Sequence, residues 1–570
     1  EKYDKNKAVK LFEELGFFSL VKRLQFNGEG TSNAPETGVE RAPKSVSGGK
    51  IEIIGQKKDF KKLKTLYAGV EKEGCLAIGI SEPAGDLFAE LKLIAAVSEA
   101  VVFEIPFSFL KGEKKLVEIL EDEKIKKIGH NLKAILKILA KNGVELKGFC
   151  FDVMLAVYLL NPGERDYSLP KIIFREFGEA PSQEDSRAGV GGLFSLKNLL
   201  LKKIKEGGLE KVFFEIEMPL IPILATTEEN GFKINSRMLN ELSKEVGAEI
   251  AELEKKIFKE AGAEFNVNSP KQLSEILFQK LKIETKGLRK TAGGGAVSTQ
   301  ASELEKLAGR HKIIDLILKY RELAKLKTTY LDALPPLADK NGKIHTTFEQ
   351  TITATGRLSS RDPNLQNIPA GGDWAKKIRS AFLAQEGFVL AAFDYSQVEL
   401  RIAAALSGDE KMIKAFAEGK DIHTLTAAEI NNVPEEKVTP EMRRQAKTLN
   451  FGVLYGMAAK SFGETAGIST AEAQNFIDEY FSDFSGLAGF LEKTKEEARQ
   501  NGYVSTLTGR RRYLPEINLA NWQLRQTAER MAINMPIQGL AADIVKMAMV
   551  EIFKQGILNN DCRLLSLVHD

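Results

Sequence analysis

The chain has 570 residues, of which 43% are hydrophobic, and a formal net charge of +3. Length and composition predict a globular chain of about three to five domains with large buried cores. The nearly neutral total excludes binding of nucleic acid through overall charge, so any such affinity has to come from local basic surfaces.

Cysteine usage and hydropathy indicate the compartment. Cys75, Cys150 and Cys562 are far apart and form neither a disulfide framework nor a zinc-ligand pair. No apolar stretch reaches the roughly eighteen residues of a membrane span, and the N-terminus is charged. We therefore predict a cytoplasmic protein without a membrane partner. Because the first residue is Glu, we expect the chain to begin inside a longer product.

The first two hundred or so residues predict a helix, a linker and a domain. Residues 5–24 have an amphipathic helix pattern, and residues 25–50 are rich in Gly, Ser, Pro, Glu and Asn. From residue 51 to about 207, short apolar runs such as 75–80 and 100–105 alternate with helical stretches. This alternation is typical of an α/β domain.

A long helix and a basic loop follow. Apolar residues recur at steps of three and four over residues 239–257, which predicts one amphipathic helix. Ser269 and Pro270 then supply an N-cap and a first-turn proline for the next helix. The glycine-rich stretch 286–299 carries several cations, among them Lys290, and it either follows duplex phosphates or is a solvated loop.

Two apolar runs in the C-terminal half end on aspartate. Residues 388–394 and 564–570 suit buried strands that deliver Asp394 and Asp570 at their ends. Paired carboxylates suit Mg²⁺, which is commonly held by one or two of them. Two such ions about 4 Å apart can activate an attacking hydroxyl and stabilise a leaving pyrophosphate. Either aspartate alone is more often a turn residue at a strand end.

A helix pattern between these runs spaces four side chains evenly. Arg443, Lys447, Phe451 and Tyr455 stand four residues apart. Because a step of four advances about 400° on an α-helix, these side chains share one face. The cations suit nucleotide phosphates, and the rings suit stacking on a base and sugar. The stripe alone also fits an ordinary amphipathic helix, but the two aspartates favour a nucleotide clamp.

Together these motifs resemble those of family A DNA polymerases, and the chain is similar to the large fragment of a bacterial member, truncated at both ends. The resemblance is carried by residues 394–401 (DYSQVELR), 443–456, 568–570 (VHD), 353–360 (TATGRLSS), 362–369 (DPNLQNIP), 421–424 (DIHT) and 534–539 (NMPIQG). The motifs stand in the family's order, which makes them far more specific than any single motif.

The resemblance implies a multidomain α/β and α+β fold, in which a ribonuclease H-like 3′-5′ exonuclease-like domain is followed by a right-hand polymerase with palm, fingers and thumb. The implied divisions are the tail of an upstream 5′-nuclease region (1–24), a linker (25–50), an inactive exonuclease-like domain (51–207), the start of the polymerase domain with the thumb (208–335), the first part of the palm (336–400), the fingers (401–525) and a truncated second part of the palm (526–570).

The exonuclease-like domain departs from the family's metal-site pattern. Gly79 and Ser81 stand where the first motif has an acidic pair, and Ile135 stands where the second has Asp. Asp152 is retained but is not an expected ligand. Because a site without carboxylates cannot hold Mg²⁺ by the usual means, we predict a structural domain that does not proofread.

The polymerase motifs imply roles for individual residues. Asp394 and Asp570 would hold two Mg²⁺ ions, and Lys447 would join them in catalysis by offsetting charge on the leaving group. Glu399 with Tyr455 would exclude a ribose 2′-hydroxyl. The implied nucleotide-binding residues are Arg443, Lys447, Phe451, Tyr455, His423, Glu399 and Gln397, and the implied DNA-binding residues are Arg357, Gln366, Arg530, Asn534, Gln538 and Lys290.

Two further expectations concern departures and context. Phe451 implies discrimination against dideoxynucleotides, and Gly371 stands where the family commonly has Arg, which leaves that template or nucleotide contact open. Because a terminal Asp570 is prone to fray, we expect the intact parent to polymerise and this segment to do so weakly or not at all.

The implied function is template-directed DNA synthesis in replication and repair by a monomer. Its partners would be primer-template DNA and deoxynucleoside triphosphates. Three alternatives stay open: a single-subunit RNA polymerase, a primer-template-binding fragment without catalysis, and an active nuclease. Glu399 and the exonuclease-like domain argue against the RNA polymerase.

Overall fold

The structure is a computed structural model that describes residues 50–54, 59–81, 90–178, 186–291, 296–369 and 371–568. The described residues belong to one compact unit, Val46–Asp570. The predicted helix 5–24, nearly all of the linker 25–50 and the predicted metal ligand Asp570 lie outside them.

A six-stranded mixed sheet organises the first part of the described chain. Its strands are β1 (Lys50–Ile53), β2 (Cys75–Ser81), β3 (Lys92–Ser98), β4 (Val101–Pro106), β5 (Lys126–Gly129) and β6 (Phe149–Asp152). Their spatial order is β1-β4-β3-β2-β5-β6, in which β3 is antiparallel to both neighbours and the other pairs are parallel. The middle strands are buried along most of their length, as expected for strands covered on both faces.

Eight helices of the described residues lie around this sheet. They are α1 (Phe60–Glu73), α2 (Phe107–Leu110), α3 (Lys114–Glu121), α4 (Leu132–Lys141), α5 (Val153–Leu160), α6 (Leu169–Phe177), α7 (Ser186–Gly191) and α8 (Leu193–Glu206). Their apolar faces join the strands in one core, in which Leu132 and Leu200 lie with Leu76 and Phe103. The predicted alternation of strands and helices therefore agrees with the structure.

The next segment is mainly helical. A π-helical turn, Val212–Glu217, continues into α9 (Met218–Asn230), and the helices α10 (Ser236–Ala261), α11 (Pro270–Ser274), α12 (Ala301–Glu305) and α13 (Lys312–Leu326) follow, with further π-helical turns at Glu275–Lys280 and Lys327–Leu331 and a 3₁₀ turn at Pro335–Leu337. The long helix predicted over residues 239–257 is α10, which packs against α13 in a second core. The predicted cap is also present, because the Ser269 hydroxyl accepts the Gln272 N–H at 3.4 Å.

Two small antiparallel sheets lie in the middle of the chain. Their elements are β7 (Phe232–Ile234), β8 (Lys343–Ile344), β9 (Thr347–Glu349), β10 (Ser359–Arg361), α14 (Asp373–Ser380) and β11 (Phe382–Leu383). One sheet has the order β11-β7-β8 and the other is the β9-β10 pair. The segment between β9 and β10 carries the TATGR motif and Arg357.

The C-terminal region is dominated by helices. They are α15 (Val398–Ser407), α16 (Glu410–Ala417), α17 (Ile422–Asn431), α18 (Pro440–Leu454), α19 (Ala459–Ala466), α20 (Thr470–Asp483), α21 (Ser485–Asn501) and α22 (Trp522–Lys554), with a 3₁₀ turn at Glu435–Lys437 and a hairpin of β12 (Tyr503–Ser505) and β13 (Arg511–Tyr513). The 33-residue α22 contributes side chains to three separate core clusters and so joins them. None of the helices in the described ranges is both long and apolar enough to cross a membrane.

Two predicted strands are wrong. Residues 388–394 form no strand, and Val389 and Phe393 are 88% and 94% exposed. Residues 564–568 are half-buried but also form no strand, in the part of that run that the structure describes. An apolar run becomes a strand only where a neighbour satisfies its backbone hydrogen bonds, and neither run is paired in a ladder in the described chain.

Candidate active site

Helix α18 presents the predicted cationic and aromatic stripe. The Thr439 hydroxyl accepts the Met442 N–H at 3.2 Å, which caps the helix and fixes where it begins. Apolar residues of one face are buried, while the Arg443 and Lys447 side chains are exposed. Tyr455 lies one residue beyond the helix, as its C-cap, so the helix over residues 443–456 that the motif indicated ends two residues earlier, at Leu454. The stripe itself is present.

Asp421 anchors the first cation of this stripe. The Arg443 Nε donates to the Asp421 carboxylate at 2.6 Å, and the same carboxylate caps α17 by accepting the His423 N–H at 2.9 Å. Although burial opposes its charged form, the hydrogen bond from Arg443 lowers the pKa of Asp421. The predicted site residue Gln397 also donates to Asp421, at 3.3 Å. Asp421 was missed as a site residue, although its position at a helix start two residues before His423 indicates a cap.

His423 is a buried, neutral hydrogen-bond donor. Its Nδ1 accepts from the Asn450 amide at 3.1 Å, and the Asn450 oxygen accepts from the Thr426 hydroxyl at 3.0 Å. Since the Asn450 amide donates to Nδ1, the neutral ring carries its proton on Nε2. Burial, together with the positive charges of Arg443 and Lys447, lowers the pKa of His423 to about 4.

Aromatic rings continue the site from His423 to Glu399. The Phe451 ring centroid is 5.6 Å from that of His423. It is 6.3 Å from that of Tyr455, and the Phe451 and Tyr455 rings are stacked with an interplanar angle of 20°. The Tyr455 hydroxyl donates to one oxygen of the Glu399 carboxylate, and the Arg357 guanidinium donates to the other. Burial and the adjacent Glu399 raise the pKa of Tyr455, which keeps its hydroxyl a donor. The buried carboxylate is therefore fixed between these two groups.

Of the two predicted metal-binding carboxylates, Asp394 lies in the described residues and Asp570 does not. The Asp394 side chain is exposed, and within the described ranges its carboxylate takes part in no hydrogen bond or ion pair. In the same residues, no group of three or more His, Cys, Asp or Glu side chains is arranged to hold a metal. A free carboxylate fits Mg²⁺, which commonly takes only one or two protein ligands. Asp394 can therefore supply one such ligand.

The two aspartate-ended runs approach each other near their beginnings. The Arg563 guanidinium lies 5.2 Å from the Phe388 ring centroid and donates to the Gln385 side chain at 3.3 Å. Further along, Leu567 and Val568 line a cavity of about 220 Å³. The structure thus brings the chain together where the two runs begin, without forming the predicted strands.

Predicted DNA-binding residues line the same cavity. Arg357 and Gln366 both contribute to its wall, and the Gln366 amide donates to the Leu358 carbonyl at 3.2 Å. Lys290 is exposed and forms an isolated antiparallel bridge with Val297. No hydrogen bond or ion pair joins Lys290 to the other site residues in the part of the chain that the structure describes.

Helix α22 carries the remaining predicted DNA-binding residues at steps of four. Arg530 is exposed and donates to the Thr527 hydroxyl at 3.1 Å, while Asn534 holds a buried side-chain oxygen without a partner among the described residues. Gln538 lies close to the Tyr455 hydroxyl and opposes the rise in its pKa, which burial and Glu399 cause. This helix thus presents one polar face toward the end of α18. Gly371, by contrast, has open space where its side chain would be.

The positions that the resemblance aligns with metal ligands in the first domain carry no carboxylate in this chain. A Cβ on Gly79 would lie 2.8 Å from a methyl group of Val190, so this position is filled by packing. Ile135 is buried in the core of the domain, and Ser81 is the last residue of β2.

Asp152 has a structural role in this domain. Its buried carboxylate accepts backbone N–H groups from Leu132 at 2.6 Å, Met154 at 2.8 Å and Leu155 at 3.2 Å. These bonds cap α5 and tie it to the start of α4. The Asp152 carboxylate thus links two helices, and these hydrogen bonds satisfy a buried acid.

Comparison with known families places the two parts of the chain. Residues 236–570 match DNA polymerase family A, and residues 87–187 match the ribonuclease H-like domain of DNA polymerase I. The thermostable DNA polymerase I of Thermus aquaticus is 47% identical over 420 residues, which cover 74% of this chain and 50% of that protein. DNA polymerase I of Bacillus subtilis is 37% identical over 597 aligned residues, which cover 100% of this chain and 65% of that protein.

A solved structure supports the same assignment. The POL domain of Pol1 from M. smegmatis, in complex with DNA primer-template and dNTP, superposes with a TM-score of 0.82 at 34% identity, covering 89% of this chain and 90% of that one. The expected fold class, a ribonuclease H-like domain followed by a polymerase domain, is confirmed. The chain spans half to two thirds of the curated relatives described above. This chain belongs to DNA polymerase family A.

Proposed function

We propose that the chain carries the centre for template-directed DNA synthesis, in which a primer 3′-hydroxyl attacks the α-phosphate of a deoxynucleoside triphosphate and pyrophosphate leaves. The observation that carries this proposal is the shared face of α18, where two cations and a neutral histidine adjoin stacked rings and a buried carboxylate. Family membership supports it, as does the similarity to the M. smegmatis POL domain, which was solved in complex with DNA primer-template and dNTP.

The triphosphate would be held by groups of three kinds. Arg443 offers a guanidinium that Asp421 holds in place, and Lys447 offers an exposed ammonium. His423 adds a neutral Nε2–H donor, since its pKa of about 4 keeps it uncharged at neutral pH. Negative charge grows on the leaving pyrophosphate, so these groups would stabilise the transition state more than the ground state.

Sugar selection would depend on Glu399. Glu399 is 8% exposed and its carboxylate is held by Tyr455 and Arg357, so it cannot swing aside without breaking two charge-assisted contacts. A nucleotide with a 2′-hydroxyl would have to displace this group or leave it poorly solvated. Phe451 would pack on the sugar and base beside it, and its type favours discrimination against dideoxynucleotides.

Mg²⁺ would be held by Asp394 and Asp570. When bound, two ions would supply activation of the primer hydroxyl and stabilisation of the departing oxygen. Asp394 contributes an exposed carboxylate that is free of partners in the described chain, and Asp570 follows the cavity-lining residues Leu567 and Val568 in the sequence.

The duplex would be gripped from its minor groove by residues on two elements. Arg357 and Gln366 belong to the segment after β9, and Arg530, Asn534 and Gln538 follow one face of α22. The minor-groove acceptor pattern differs little between correct base pairs, so these side chains would check shape without reading sequence. Lys290 would contact backbone phosphates from its exposed loop.

The same proposal assigns a role to each segment of the chain. The segment 51–207 would be structural and would not proofread, because Gly79 and Ile135 occupy ligand positions with apolar packing. Residues 208–335 would form the thumb region, 336–400 and 526–570 the palm, and 401–525 the fingers. The protein would act as a cytoplasmic monomer.

A second candidate is a fragment that binds primer-template DNA without catalysis. It is favoured by the exposed, unpaired run 388–394, since Asp394 is then not held in a rigid sheet. A single-subunit RNA polymerase is disfavoured by the restrained Glu399.

Primer extension decides between these functions. The chain is tested with labelled primer-template, Mg²⁺ and either dNTPs or rNTPs, beside Asp394→Asn and the control Asp373→Asn, whose side chain is 97% exposed at the start of α14. We expect dNTP extension that Asp394→Asn reduces by about a hundredfold or more while the control stays active. Tight duplex binding without extension establishes the second candidate, and extension that survives Asp394→Asn refutes the role of this carboxylate.

A further inference from the structure

The segment that carries Arg357 is held in part by the ribonuclease H-like domain. Tyr158 on α5 is 1% exposed, and its hydroxyl donates to the Thr353 carbonyl at 2.8 Å. The Thr353 hydroxyl in turn donates to the Arg357 carbonyl at 2.7 Å. Two consecutive hydrogen bonds therefore link a helix of the first domain to the backbone of a residue in the candidate active site.

Arg510 packs against the same segment at Gly356. Gly356 has a φ of +88°, and a Cβ there would lie 2.6 Å from the Arg510 Nε, so only glycine fits against the guanidinium. Arg510 cannot move away, because it is buried and donates to Asp543 at 2.7 and 2.9 Å. The segment thus contacts a tyrosine of one domain and a fixed arginine of the other.

The segment 353–357 ends at Arg357, which contacts Glu399. Arg357 follows Gly356 directly, and its guanidinium donates to the Glu399 carboxylate. The other carboxylate oxygen is held by Tyr455. A shift of the segment would therefore loosen the Arg357 contact with this carboxylate.

We propose that Tyr158 is a positioning residue for sugar selection: by holding residues 353–357 against Arg510, it sets the Arg357 contact that keeps Glu399 in place against a ribose 2′-hydroxyl. This assigns the ribonuclease H-like domain a part in substrate choice. The inference rests on the proposed polymerase function. It goes beyond that function because Tyr158 lies on a different domain from every residue of the candidate site.

The test compares two conservative tyrosine variants. Tyr158→Phe removes the hydroxyl that bonds to Thr353, and Tyr167→Phe removes a hydroxyl of the same domain that donates to the Asn161 carbonyl at 2.8 Å. The ratio of kcat/KM for a dNTP to that for the matching rNTP is measured for each. We expect Tyr158→Phe to lower this ratio about threefold, in line with one lost hydrogen bond, and Tyr167→Phe to leave it unchanged.

The variant Glu399→Ala shows whether Tyr158 acts through the Glu399 carboxylate or by a general loosening of the fold. In Glu399→Ala, adding Tyr158→Phe is expected to change the ratio no further, because the group through which Tyr158 acts is gone. Equal losses of selectivity in both tyrosine variants, no loss in Tyr158→Phe, or full additivity with Glu399→Ala would each overturn the proposal.

Hydrogen exchange provides a readout that needs no catalysis. In the chain without DNA, Tyr158→Phe is expected to speed exchange in peptides covering residues 351–358, and Tyr167→Phe is not. A chain that extends no primer but shows this difference would refute the proposed function while retaining the restraint by Tyr158. Unchanged exchange in Tyr158→Phe would refute that restraint even if the enzyme is active.

Discussion

Glu217 and Arg510 are 293 residues apart in the chain and form a buried ion pair with a separation of 2.5 Å. Glu217 ends the π-helical turn before α9, and Arg510 lies in the β12–β13 hairpin. Lys546 of α22 also donates to Glu217, at 2.7 Å, and Asp543 completes the group by pairing with Arg510. Two carboxylates and two cations thus balance in a site from which water is excluded, which is what burial of charge demands.

Loss of Arg510 is expected to destabilise the protein strongly. In Arg510→Met the two buried carboxylates keep only Lys546 as a cation, and breaking such a group costs about 3–5 kcal/mol. The free energy of unfolding by urea measures this cost. Arg511→Met on the same hairpin is the matched control, since Arg511 stacks on Tyr503 at 4.4 Å and its loss costs about 1 kcal/mol or less. Similar values for both variants would contradict the structural role of the buried group.

The same group predicts how acid affects stability. Burial disfavours the charge of Glu217, but Lys546 and Arg510 outweigh it and lower its pKa from 4.5 to about 2. Because the folded pKa lies below the unfolded one, this stabilisation is complete above about pH 4.5 and is lost as the pH falls toward 2. Glu217→Gln is therefore less stable than the wild type at neutral pH, and the gap should narrow with acid. Unfolding curves measured at several pH values check this, and a constant gap would refute it.

Sequence reasoning succeeded where the deciding interactions are local. The apolar period of α10, the Ser269 cap and the stripe on α18 are set by residues within a few turns of one another. It failed for residues 388–394, because strand formation depends on a distant partner. The pairing of Glu217 with Arg510 is equally non-local, and the sequence around Arg510, Gly-Arg-Arg-Arg-Tyr, gives no sign of which arginine is buried.

Lys447 provides a test of the triphosphate contact. Its exposed ammonium shares a face with Arg443, so Lys447→Ala is expected to lower kcat/KM for dNTP incorporation by about a hundredfold through lost stabilisation of the leaving group. Lys437→Ala is the control, because it removes one exposed charge from the short turn before α18. Single-turnover incorporation measures both variants. Equal losses would indicate a general effect of net charge and exclude a specific role for Lys447.

His423 predicts a second pH effect, at higher pH than that of Glu217. Its folded pKa of about 4 lies below the ordinary 6.5, mainly because of burial, so protons bind the unfolded chain more readily between these values. The stabilisation from neutral His423 is thus complete above about pH 6.5 and is lost as the pH falls toward 4. His423→Gln cannot titrate, and its free energy of unfolding should fall less than that of the wild type over this range. Parallel pH curves for the two proteins would show that the imidazole is not held neutral by the fold, and the proposed Nε2–H donor to the triphosphate would then lose its basis.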